Sequence, residues 1–229
     1  MAGKTEKVSI NERLNDFIQK NRKVLIIGLG SIIAAVIVLV AVFVLKDSLQ
    51  SQALSKVEEL QRRYEAVRYE IGSEGQETAQ REDINILLND LSLFERNHSG
   101  YAAARAYAIS ASIYEGMQNW QEAENAWASA AKAGVKTYIA PVAFYNAAVA
   151  AEELGNINGA IELYNKALEN EKAFPAAPRA QFSIGRLQES QGNNSSALVS
   201  YLTLVSKLPQ DQIWANLAQS RILALTIDR

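Results

Sequence analysis

Two adjacent carboxylates, Glu152 and Glu153, and a single histidine, His98, are the residues whose types first suggest chemistry. An acid–base pair must aim both groups at one reacting atom. Neighbours on a helix diverge by about 100°, so Glu152 and Glu153 read as a solvated face. His98 closes a helical pattern with no cysteine or second histidine to share a metal, and reads as a surface residue near the negative end of a helix dipole. Cysteine is absent, which removes disulfides, thiolate catalysis and cysteine-ligated metals. No phosphate loop, zinc-type histidine pair or nucleophile elbow occurs. The chain therefore reads as a non-enzyme, with no catalytic residue, no metal site and no cofactor. Asn97-His98-Ser99 and Asn193-Asn194-Ser195 fit the glycosylation triplet, which carries meaning only in a eukaryotic context.

The elements that position these residues start from an apolar stretch. Val24 to Leu45 is 22 residues without a charge, bracketed by Lys23 and Lys46. As a helix it is roughly 33 Å long, the thickness of a bilayer's hydrocarbon core. It is longer than a signal-peptide core of about 7–15 residues, and no small-x-small site follows Leu45 closely, which favours an uncleaved anchor. Residues 1–23 hold six Lys/Arg against three Asp/Glu, whereas residues 47–229 hold 16 against 22. The positive-inside rule then places the N-terminus in the cytoplasm and the long C-terminal part outside it. An acidic main domain also makes a poor nucleic-acid binder. Before the span, Ser9 and Glu12 have capping-box spacing, and Ile10, Leu14, Phe17 and Ile18 share a helical face. Either a short amphipathic helix on the membrane surface or a solvated tail fits.

Asp47 to Ile71 contains neither glycine nor proline, and Ala53, Val57, Leu60, Tyr64, Val67 and Ile71 follow the 4-3-4-3-4 spacing of a heptad seam. Two readings stand: a coiled coil pairing two copies, or a helix packing this stripe on its own domain. Fewer than three heptads favour the second. Glu58 with Arg62 and Glu59 with Arg63 are expected i,i+4 pairs. Gly72 to Gln80 reads as a polar linker, and Ile84, Leu87, Leu88, Leu91 and Phe94 line one face of a helix over 81–97.

Beyond it the chain repeats every 37 residues. Asn119, Asn156 and Asn193; Ala123, Ala160 and Ala197; Trp127, Tyr164 and Tyr201; and Ala103, Ala140 and Ala177 all keep that spacing, and Pro141 and Pro178 open the second and third copies. A small residue lets two antiparallel helices close, and an aromatic one turn later fills the space beside it. Pro141 and Pro178 suit a first helical position. The pattern resembles the tetratricopeptide repeat: Ala111, Ala148 and Gly185 match the small eighth position, Gly155 and Gly192 the glycine near 15, Ala123, Ala160 and Ala197 the alanine at 20, Ala130 and Ala167 that at 27, and Pro209 the proline at 32. Gln118 stands for the first glycine and Leu204 for the third alanine at 27. Trp214, Leu217, Ala218, Ile222 and Leu225 mark a closing helix. The fold class is thus all-α: an N-terminal transmembrane helix followed by a tetratricopeptide-like helical-pair solenoid. Its expected divisions are a basic cytoplasmic segment (1–23), the span (24–45), a connecting helix (46–71), a linker (72–80) and the repeat domain (81–229).

What the resemblance implies is a concave groove lined by positions 2, 5, 9, 12 and 13 of each repeat. Carried over, the candidate partner-binding residues are Arg105, Tyr145, Val149, Arg179, Phe182 and Arg186. The clamp for a terminal carboxylate found in chaperone-tail binders is not expected, because Ala108 and Ser112, Tyr145 and Val149, and Phe182 and Arg186 stand at its positions. Aromatic rings with arginines suit an extended or helical peptide. The layout of Leu14 to Ile26, one span, a connecting helix and repeats resembles the YfgM-like family of bacterial inner-membrane proteins. That resemblance implies an adaptor associated with the Sec translocon and periplasmic chaperones, anchored in the inner membrane with its C-terminal domain in the periplasm. The alternative is an envelope-assembly scaffold forming a homo-oligomer through residues 49–71.

Overall fold

The structure is a computed structural model and describes residues 10–69, 71, 78–169, 174–207 and 212–227. The helices among these are α1 (Ile10–Val67), α2 (Thr78–Asn97), α3 (Gly100–Gly116), α4 (Trp120–Ala133), α5 (Ile139–Glu153), α6 (Ile157–Leu168), α7 (Ala177–Ser190), α8 (Asn194–Lys207) and α9 (Gln212–Ile227). The chain forms two compact units, Met1–Gln52 and Ala53–Arg229.

In the first unit, α1 carries the apolar stretch, and none of its most apolar window is buried in protein. A helix that is apolar all round and this long is long and apolar enough to cross a membrane. The one hydroxyl of residues 24–45, on Ser31, donates to the Ile27 carbonyl at 2.9 Å and so is satisfied within the helix. Leu14, Phe17 and Ile18 are exposed on the same continuous helix, in its first turns. Ser9, which the capping box requires, lies outside the described residues.

The second unit begins with the last turns of α1. Val57 and Leu60 are 0% exposed and pack with Leu87 and Leu91 of α2 and with Ile109 and Ile113 of α3, while Tyr64, Val67 and Ile71 flank them. The heptad-like seam is thus spent inside the chain's own core. The expected i,i+4 ion pairs give way to longer-range ones, because the helix flanks meet charged neighbours: Arg63 pairs with Asp90 at 2.6 Å and Glu58 with Arg105 at 3.7 Å, while Lys56 takes Glu59 at 2.8 Å. Helix α2 opens at Thr78, inside the stretch expected to be a linker; residues 72–77 lie outside the described residues, as does Pro209.

Three helix pairs follow, α3/α4, α5/α6 and α7/α8, with α9 against the last. The repeat columns have local causes. At each intra-pair turn the same two bonds close the first helix: Gln118 N–H donates to the Glu115 carbonyl (2.9 Å) and Asn119 N–H to that of Tyr114 (2.8 Å), repeated by Gly155 and Asn156, and by Gly192 and Asn193. This Schellman closure requires a left-handed residue. Gly155 and Gly192 supply it at φ 72° and 75°, and Gln118 is forced into it at φ 56°. Glycine adopts that conformation without the Cβ penalty. Gln118→Gly is therefore expected to stabilise the domain by about 1 kcal/mol, read as a raised midpoint in urea unfolding of the full chain in detergent.

The packing columns are equally literal. Ala123, Ala160 and Ala197 are 0% exposed, and Trp127, Tyr164 and Tyr201 are buried beside them. A Cβ on Gly185 would lie 2.6 Å from the Tyr201 ring, which explains why the small eighth position has lost even its methyl there. Leu204, the exception to alanine at position 27, is also wholly buried. Pro178 is the second residue of α7, whereas Pro141 is the third of α5, which starts earlier than the proline suggests. Both fall in the first turn, where no backbone donor is needed. His98 stacks on Phe94 at 3.9 Å, with its Nδ1 2.9 Å from the Phe94 carbonyl, and stays at the surface.

Candidate functional site

The 37-residue period carries position 2, 5 and 9 side chains from one first helix to the next, so those of α5 and α7 converge. Tyr145, Val149, Arg179, Phe182 and Arg186 line one cleft of about 320 Å³, together with Glu152, Glu153, Tyr164, Ser183 and Trp214. Arg105 is not among them. It lines a second cleft of about 220 Å³, one repeat earlier, with Gln61, Tyr64, Ser112, Trp127 and Tyr138.

Aromatic rings form the floor of the larger cleft. Tyr145 is only 8% exposed, with its ring centroid 5.3 Å from that of Tyr164 and 5.8 Å from that of Phe174. Phe182 is half-buried between Tyr201 (5.4 Å) and Trp214 (5.3 Å). The Arg179 guanidinium hangs over both Tyr145 (5.6 Å) and Trp214 (6.0 Å), attracted by the electron-rich ring faces. Arg179 is exposed, and no carboxylate pairs with it among the described residues. Arg186 is engaged by Glu152. The arrangement suits recognition, with apolar area below a cation that no described carboxylate engages.

Sequence reasoning missed two things here. Trp214 reaches the cleft from α9, a helix read only as a cap. The second is a column of glutamates: Glu115, Glu152 and Glu189 are 37 apart, and each lies twelve residues before the repeat's aromatic. Trp127 Nε1 donates to Glu115 at 2.8 Å, the Tyr164 hydroxyl to Glu152 at 2.6 Å and the Tyr201 hydroxyl to Glu189 at 3.0 Å. The spacing is visible in the sequence, but the adjacency of Glu152 to Glu153 draws attention to the wrong partner.

These bonds move ionisation in a defined direction. Burial first, then the hydrogen bond to Glu152, pushes the Tyr164 phenol well above its usual value of 10.0; burial and then Glu189 do the same to Tyr201. The unfolded chain therefore loses these protons first, and rising pH favours unfolding. Stability is expected to be flat below pH 10 as far as these groups are concerned, and to fall above it by up to about 1.4 kcal/mol per pH unit per phenol. Melting temperatures from pH 8 to 12 check this, and Tyr164→Phe should make the fall shallower.

The comparisons with known proteins agree with this geometry. Residues 110–171 and 145–211 match the family model described as tetratricopeptide repeat. A TPR repeat-containing protein of Treponema pallidum (strain Nichols) is 28% identical over 226 residues, covering 94% of this chain and 94% of its own length. Tetratricopeptide repeats are scaffolding, non-catalytic modules that mediate protein–protein interaction, and no metal-holding group of His, Asp and Glu occurs among the described residues. The chain thus carries, over residues 110–211, helix pairs similar to the tetratricopeptide repeat, and one long apolar helix near its N-terminal end.

Proposed function

We propose that this protein is a membrane-anchored adaptor whose larger cleft holds an extended or helical peptide segment of a partner protein, in association with the Sec translocon and periplasmic chaperones. Residues 24–45 span the inner membrane, residues 1–23 stay in the cytoplasm, and the repeat domain stands in the periplasm. The observation that carries the binding reading is the convergence of Tyr145, Phe182 and Trp214 in one cleft, with the Arg179 guanidinium over Tyr145 and Trp214 and paired with no carboxylate among the described residues. The topology rests on the excess of Lys/Arg before the span. The translocon rests on the YfgM-like layout.

The competing scaffold reading, self-association through residues 49–71, has lost most of its surface, since Val57 and Leu60 are 0% exposed. Photocrosslinking in cells from positions 182 and 179 tests the choice: capture of translocon subunits or emerging chains supports the adaptor, and capture of sister copies alone overturns it. A reporter fused after Arg229 that proves cytoplasmic would overturn the topology.

A further inference from the structure

The three glutamates of the repeated column are not equally served. Besides its tyrosine, Glu152 on α5 takes Arg186 from α7, and Glu189 on α7 takes Arg221 from α9, whose Nε also lies 3.2 Å from the carboxylate. In each case the cation comes from the next first helix along the solenoid. For Glu115 on α3 the equivalent helix is α5, and the residue there, 37 before Arg186, is Val149. Among the described residues no cation pairs with Glu115; its side-chain partner is Trp127 Nε1. Arg105, the basic residue of α3, pairs instead with Glu58.

The consequence is a carboxylate held in place but left without a counter-charge among the described residues. Burial pushes the Glu115 carboxyl up, only partly offset by the Trp127 hydrogen bond, whereas Arg221 holds Glu189 down. Glu115 itself lines neither cleft, but Trp127, its hydrogen-bond partner, and Ser112, three residues before it on α3, line the smaller one. An aliphatic residue at 149 offers a wall for the methylene stem of a long basic side chain while its head reaches a carboxylate. The net acidity of residues 47–229 draws basic segments toward the domain.

We propose that Glu115 is the acceptor for a basic side chain of the bound peptide: an arginine or lysine of the partner takes the place beside Glu115 that Arg186 and Arg221 fill in the two following repeats. This rests on the peptide-binding reading above and sharpens it, because it assigns the partner segment a positive charge at one position.

The test uses the full chain in lipid nanodiscs and two labelled twelve-residue peptides, one alternating leucine with arginine and one alternating leucine with glutamate. The arginine peptide is expected to bind the wild type in preference. Glu115→Gln should weaken it about tenfold, and Glu82→Gln, which removes an equal charge from exposed α2, should change it by less than about twofold. Val149→Arg should also weaken it, because the new guanidinium occupies the carboxylate from within. A measurement without ligand accompanies this: Val149→Arg should raise the melting temperature, and the gain should vanish when combined with Glu115→Gln. Equal binding by wild type and Glu115→Gln, or preference for the glutamate peptide, overturns the assignment of Glu115. Binding of neither peptide by the wild type overturns the groove reading and the proposal with it, even where the Val149→Arg gain still depends on Glu115.

Discussion

Leu60→Ala is expected to destabilise the repeat unit by about 2–5 kcal/mol, toward the upper end of that range. Leu60 is 0% exposed and belongs to the cluster that joins the last turns of α1 to α2 and α3. Removing its branched end deletes contacts to large neighbours, Leu87, Leu91 and Ile113 among them, that are themselves fixed by other helices and cannot close the gap. Leu49 is the control: it lies on the same helix but is 66% exposed, so Leu49→Ala should leave the unfolding of the repeats unchanged. Tryptophan fluorescence suits the measurement, since Trp120, Trp127 and Trp214 all lie in the second unit. A coiled coil predicts the opposite signature, a concentration-dependent midpoint lost in the variant. An unchanged, concentration-independent midpoint for Leu60→Ala would contradict the packing of α1 described above.

Tyr164→Ala should cost about 3–5 kcal/mol, a value set by what surrounds the ring. Its neighbours in the cluster are mostly alanines, including Ala148, Ala151, Ala160, Ala177 and Ala180, which have no side-chain torsions with which to fill a void. The ring also supports Tyr145 at 5.3 Å and donates to Glu152. Tyr164→Phe separates the two contributions. It keeps the packing and removes the hydroxyl, leaving the Glu152 carboxylate to Arg186 alone at a cost of about 1–3 kcal/mol. The difference between the two variants, measured by urea unfolding, is the part due to shape. If Tyr164→Phe proves as damaging as Tyr164→Ala, the polar network rather than the close-packed column holds the second repeat together.

How much of this was legible in the residues depends on whether a feature repeats or is paired across helices. The Asn, Ala and aromatic columns were readable because each meets the same local demand three times, and the helix pairs follow from them. Boundaries were less so: Thr78 opens α2 inside a stretch whose polarity and glycines suggested a loop, and Pro141 sits deeper in its helix than its usual place. The heptad seam of residues 53–71 was readable as an apolar stripe, but periodicity does not say against what a stripe packs. Among the six groove candidates, five converge and Arg105 does not, because the cleft draws its remaining wall from Trp214 on α9 rather than from the first repeat. Ion partners were the least legible: Glu58, Glu152 and Glu189 all pair with arginines more than thirty positions away, a separation that only the stacking of helices explains.

The last helix of the stack has an unequal share of this arrangement. Only Ala215 and Ala218 of α9 are buried, yet α9 supplies Trp214 to the cleft and Arg221 to Glu189. In a linear array each helix pair is secured by its immediate neighbours alone, so an element with two small anchors detaches more readily than one with many. Amide protons of α9 should accordingly exchange with solvent faster than those of α5 and α6. An occupied cleft, by holding Trp214, should slow that exchange, so the far end of the array reports occupancy without any label on the ligand.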